Sequence, residues 1–189
     1  MTQSPSAAPS RSSGRTQRRA KNVAPQPYDF LRPTKLSREH TRALEVAYET
    51  FARQWATLLT STLRVVATIH LASIQQHTYD EYISSLQTPT ILVKTTLDPL
   101  PGTALFEHSL SVAMACVDHM LGGAGGEQPQ RQLTEIEHVL IRGMHERAMS
   151  ELRYAFESIV TLEPRLGSIE YNPQFAQAAA PSDAVVVAY

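Results

Sequence analysis

One pattern occurs twice in this chain: a long amphipathic stretch, opened by a capping residue and followed by a β-rich segment. Its recurrence at a single offset limits the folds open to the sequence. The first copy opens at Ser37, whose hydroxyl suits an N-cap, with Glu39 in the first turn where the helix dipole favours an acid. Leu44, Tyr48, Phe51, Trp55 and the Leu58/Leu59 pair then recur every three or four residues, predicting one apolar helical face to about Leu63. The period drops to two at Val65, Ala67, Ile69 and Leu71, so a strand is expected to about Gln75. Thr78-Tyr-Asp-Glu81 has capping-box form and predicts a short helix to Leu86. After Pro89, residues 90–97 read as a second strand and Asp98-Pro-Leu-Pro-Gly102 as a turn. Residues 103–107 should return as a hairpin strand. A helix over 110–120 places Leu110, Ala113, Met114, Val117 and Met120 inward.

The second copy begins at Thr134, with Glu137 three positions on in the reciprocal capping arrangement. Its helix is expected to reach about Ser158 and to bury Ile136, Leu140, Met144, Ala148, Leu152, Ala155 and Ile159. Sliding the first half by 97 positions lays Leu36-Ser37 on Leu133-Thr134, Trp55 on Leu152, Leu59 on Phe156 and Ile69 on Leu166. The element order repeats as well: a strand over 159–171, a helical turn over 172–175, Pro181 against Pro89, and a strand over 184–189. The expectation is one duplicated, pseudo-two-fold α/β domain with halves at about 36–120 and 133–189. The second half stops at Val185-Val-Val-Ala-Tyr189, with no hairpin strand or helix after it. This predicts an open sheet edge, and a chain that is a fragment of a longer protein.

Between the halves lies Leu121-Gly-Gly-Ala-Gly-Gly126, which holds four of the chain's 8 glycines. Such density marks a tight turn, a flexible connector or a close approach by another backbone. It follows a helix and lacks a trailing Lys-Ser/Thr, so it is not a phosphate-cradling loop. It ends the preceding helix and is expected to be exposed, so an acidic side chain at Gly123 should leave stability nearly intact.

Residues 1–27 are Ser-, Pro- and Ala-rich, carry Arg11, Arg15, Arg18, Arg19 and Lys21 without an acid, and read as a disordered basic tail. Order is expected from Tyr28-Asp29-Phe30 onward. The net charge of −1 supplies no field for nucleic acid. No apolar run approaches membrane-spanning length, and the start has no signal-peptide core. The single cysteine, Cys116, lies in an apolar run and predicts a buried, inert thiol in a reducing compartment. The seven histidines are scattered. His138 and His145 share a helix but stand two turns apart, too far for a metal pair, and each histidine is expected at the surface or core edge. Asp118-His119 has no serine-nucleophile motif nearby. No catalytic residue, cofactor or metal site is expected.

YDFLRP (28–33), LLTSTLR (58–64), TYDEYISSL (78–86), LDPLPGTALFE (97–107), DHMLGGAGG (118–126), LTEIE (133–137), LEPRLG (162–167) and NPQFAQ (172–177) together resemble the middle domain of the flagellar motor switch protein FliM family. The resemblance runs in order from Tyr28 to Tyr189. It implies a three-layer α/β/α domain of the CheC-like kind, long helices flanking a central, mostly antiparallel sheet. It implies a non-enzymatic part of the cytoplasmic switch ring at the inner-membrane face, set beside further copies of itself. It also implies contact with the rotor protein FliG through Leu121, Gly122, Gly123, Ala124, Gly125 and Gly126. The family's acidic-hydrophobic capture segment for the response regulator is missing from the basic tail. Its C-terminal FliN-binding domain has no counterpart in these residues. The resemblance therefore does not by itself carry signal reception or pairing with a FliN-type protein over to this chain, and a truncated adaptor paralogue is the alternative. A CheC-like phosphatase would need Glu and Asn three residues apart on a long helix. The only asparagines are Asn22 and Asn172, and Tyr48 and Met149 follow Glu45 and Glu146 at that spacing.

Overall fold

Ser37 accepts a hydrogen bond from the His40 N–H and starts α1 (Arg38–Leu63), which ends where Arg64 turns left-handed at φ 56°. Ala47, Phe51, Ala52 and Leu63 are its buried residues, and Leu44, Tyr48, Trp55 and Leu59 pack partly buried beside them. This is the face that the spacing predicts. The computed structural model describes residues 36–189; the expected tail and Tyr28-Asp29-Phe30 lie outside the described residues.

Five more elements follow the sequence closely. Thr78 and Glu81 form a reciprocal capping box at the head of α2 (Tyr79–Ser85). Strands β2 (Thr90–Asp98) and β3 (Leu100–Ser109) form an antiparallel hairpin. The turn between them is tighter than expected, with Leu97 opposite Leu100 and a cis Asp98–Pro99 peptide, so β3 extends at both ends beyond 103–107. Helix α3 (Leu110–Met120) buries Leu110, Ala113, Met114, Cys116 and Val117. Thr134 and Glu137 complete the second capping box, at the start of α4 (Glu135–Phe156).

The strands depart from expectation. Residues 65–73 form no strand; Thr60 holds Ala67 through its hydroxyl, Ala72 and Ser73 bond to the Tyr189 backbone, and β1 is confined to Ile74–Thr78. Period-two alternation signals an extended backbone, but a strand also needs a neighbour with free N–H and C=O groups. β4 is likewise shorter than expected, at Glu163–Glu170. The 3-10 turn Pro173–Phe175 and β5 (Ala184–Ala188) complete the order. The sheet is not one continuous central sheet. It forms a three-stranded piece, β3-β2-β4, and a two-stranded piece, β1-β5, both antiparallel. β5, expected as an unfinished strand, thus has β1 as its partner along its whole length.

The pairing is exchanged between the two halves: β1 of the first lies on β5 of the second, and β2 of the first on β4 of the second. A two-fold relation taking β1 to β4 and β5 to β2 would convert one pair into the other. α1 and α4, the corresponding long helices, pack on each other through Ala47, Phe51, Ala148, Leu152 and Phe156.

The buried face of α4 is rotated from the expected one. Ile141, Met144, His145, Ala148, Met149, Leu152, Ala155 and Phe156 are buried, while Ile136 is 72% and Ile159 45% exposed. The expected set followed apolar residues only, and so could not include a histidine as part of the inward stripe. A chain of aromatic contacts joins the layers. Phe106 on β3 meets Trp55 edge-on at 4.9 Å, Phe51 at 5.9 Å and the His145 ring at 5.5 Å.

Candidate functional site

The glycine loop begins as a helix stop. Gly122, at φ 92°, donates its N–H to the His119 carbonyl, and Gly123 reaches back to the Asp118 carbonyl at 2.7 Å. These two bonds with a left-handed residue between them are the Schellman arrangement, which satisfies carbonyls that the helix leaves open. A residue with a Cβ would strain at Gly122.

The chain then folds over the last turn of α3. The Gly125 N–H donates to the Asp118 carboxylate at 2.7 Å, with Gly125 at φ 74°. A Cβ built on Gly123 would fall 2.1 Å from that same carboxylate, and one on Gly125 would fall 2.4 Å from the His119 ring. Nothing lies within 4 Å of the corresponding point on Gly126. The loop is thus both exposed and braced from beneath. Leu121 stands out at 68% exposure, and Gly122, Gly123, Ala124 and Gly126 are also exposed. The expectation that Gly123 could accept an acid with stability nearly intact does not fit this packing, since the new side chain would have to displace Asp118.

The far end of the connection is tied down as well. Arg131 grips Glu137 with two parallel hydrogen bonds, at 2.7 and 2.8 Å. That guanidinium, helped by the Thr134 backbone and hydroxyl, holds the Glu137 carboxyl down at about 2. The Leu133 N–H donates to the Tyr171 hydroxyl, which lies 2.7 Å from His138 Nε2. The segment between the halves is therefore anchored at Asp118 and again at Arg131 and Leu133.

Sequence reasoning placed the loop but missed Asp118, which it met only in a search for a nucleophile. An acid four residues before a helix-ending glycine run was the available signal. It also missed the polar contact inside the core. His145 is fully buried, and its Nε2 lies 3.2 Å from His108 Nε2. His145 Nδ1 is 2.8 Å from the Ile141 carbonyl, which can only accept, so Nδ1 carries the proton and the bare Nε2 faces His108, whose own Nδ1 lies 3.4 Å from the Ser109 carbonyl. Burial, then the neighbouring His145, pushes His108 down to about 4; burial also lowers His145. The two histidines expected to share a helix face, His138 and His145, make separate contacts with Tyr171 and His108. Among the described residues no three metal-ligating side chains gather. Cys116 is buried, which raises its thiol pKa. No helix among the described residues is long and apolar enough to cross a membrane.

The geometry has close counterparts. Residues 37–189 match the family model described as flagellar motor switch protein FliM. The flagellar motor switch protein FliM of Treponema pallidum is 43% identical over 161 residues, which are 85% of this chain and 47% of that protein. The chain spans about half the length of the curated relatives it matches. Among solved structures, a chain in the FliG-FliM complex from H. pylori superposes with a TM-score of 0.76 at 26% identity, covering 80% of this chain and 84% of that one. The FliM middle domain from H. pylori gives 0.72 at 25% identity, covering 80% and 82%. By family match, identity and fold together, this chain belongs to the FliM family of flagellar motor switch proteins.

Proposed function

We propose that this chain is a non-enzymatic component of the flagellar switch ring that docks to a FliG-type rotor protein through Leu121–Gly126. The observation that carries the reading is the loop itself: an exposed leucine and nearly side-chain-free backbone, held in one shape by Asp118 and projecting from a helix end. A partner helix can approach such a surface closely, and the ordering entropy of the loop is already met by internal bonds. The neighbour solved as a FliG-FliM complex supports the identity of the partner. Membership of the family supports side-by-side assembly of copies at the cytoplasmic face of the inner membrane, in the basal body. Rotation sense would then pass through tilting of a rigid domain whose contacts differ between two states.

A phosphatase role is disfavoured by the helices. Glu146 is paired with Arg142, and the residue three positions on, Met149, is buried in the core. The direct test is capture of purified FliG-type protein from the same organism by this chain, with Leu121→Glu as the variant. Loss of at least tenfold in affinity with an unchanged melting temperature is expected. Equal capture by both proteins would remove the loop as the docking site.

A further inference from the structure

The glycines of the loop are accounted for from inside the molecule. Gly122 serves the helix stop through its left-handed φ. Gly123 leaves room for the Asp118 carboxylate, and Gly125 leaves room for the His119 ring while giving its N–H to Asp118. Gly126 alone of the four has neither a left-handed φ nor an atom within 4 Å of where a Cβ would stand. A bare backbone that merely awaited a partner would not need a carboxylate beneath it. Asp118 makes two separate bonds to the loop: its backbone carbonyl takes the Gly123 N–H at 2.7 Å, and its side chain takes the Gly125 N–H at 2.7 Å. The first belongs to every helix stop of this kind, whereas the second requires this side chain. Among the described residues the carboxylate has no ion pair with a basic side chain, so its one visible task is to receive that amide.

We propose that Asp118 is the positioning residue of the docking loop: by holding the Gly125 N–H it selects the loop conformation in which Leu121, Ala124 and Gly126 face the partner. The inference rests on the FliG reading above. It assigns the glycines to the latch and the contact to the residues between and beside them. Substitutions at Gly123 or Gly125 then act by breaking the latch, not by intruding on the partner.

The test compares Asp118→Ala and Asp118→Asn with the unmodified chain in two assays: amide hydrogen exchange at Gly125 and affinity for purified FliG-type protein. Asp118→Ala should speed Gly125 exchange at least tenfold and weaken binding at least fivefold, with melting temperature kept. Asp118→Asn retains an accepting oxygen and should recover most of both. Unchanged exchange in Asp118→Ala overturns the latch. Faster exchange with undiminished binding shows that loop order is irrelevant to docking and overturns the positioning role. If the unmodified chain fails to bind FliG, the partner reading falls and the docking part of this proposal falls with it, while the exchange result still decides whether Asp118 orders the loop.

Discussion

The His108–His145 contact predicts a specific acid sensitivity. In the folded chain His108 is neutral down to about 4, whereas in the unfolded chain it titrates near the ordinary value of 6.5. The depressed folded value means that the stability is fully present above 6.5 and is lost as pH falls toward 4, because the unfolded chain takes up a proton that the folded chain refuses. At pH 5 the linkage amounts to roughly 2 kcal/mol from 1.36 kcal/mol per unit, and the surface that His108 retains tempers this to about 1–2 kcal/mol. For a domain of this size that corresponds to a drop of roughly 3–8 °C in melting temperature. The assay is thermal unfolding from pH 7.5 to 5 for the unmodified chain and His108→Gln. The glutamine amide can still donate to His145 but carries no titrating group. The unmodified chain should lose stability more steeply than the variant, by the amount above. Parallel pH profiles would refute the argument and place His108 in water.

Three further outcomes follow from the packing. Trp55→Ala removes the ring that meets Phe106 at 4.9 Å and Phe51 at 5.4 Å, and should cost about 3 kcal/mol in urea unfolding. Gly122→Ala should cost roughly 1–2 kcal/mol, because φ 92° is strained for any residue with a Cβ, while Gly126→Ala should be silent in the same measurement. Arg131→Gln should let the Glu137 carboxyl rise from about 2 toward its ordinary 4.5, read by NMR titration. The stability that this carboxylate contributes is present above 4.5 and lost as pH falls toward 2, so removing Arg131 should narrow that acid window.

The sequence disclosed most of what depends on local chemistry. Ser37, Thr78 and Thr134 all cap the helices they were expected to cap, and Leu110–Met120 is a helix from end to end. Such features are written in a few adjacent residues. Strand partners are not, because β1 finds β5 and β2 finds β4 across long stretches of chain. The alternation over Val65–Leu71 therefore predicted a strand where none forms. His145 was invisible as a core residue because its polar partner, His108, arrives from strand β3, distant in sequence. The loop was legible as a loop, but the reason for its glycines was not. That reason is a carboxylate folded back beneath them, which spacing alone does not reveal.

The exchanged strand pairs also bear on how the domain is made. Neither half holds a complete set of its own strand partners, so neither can close its hydrogen bonds while the other is absent. On the ribosome β1 emerges early and must wait for β5, the last strand described. In the interval its edge is open to chaperones or to a neighbouring nascent chain. Pairings this distant in sequence slow folding, and a chain cut between α3 and α4 should yield two pieces that associate with each other rather than two that fold alone.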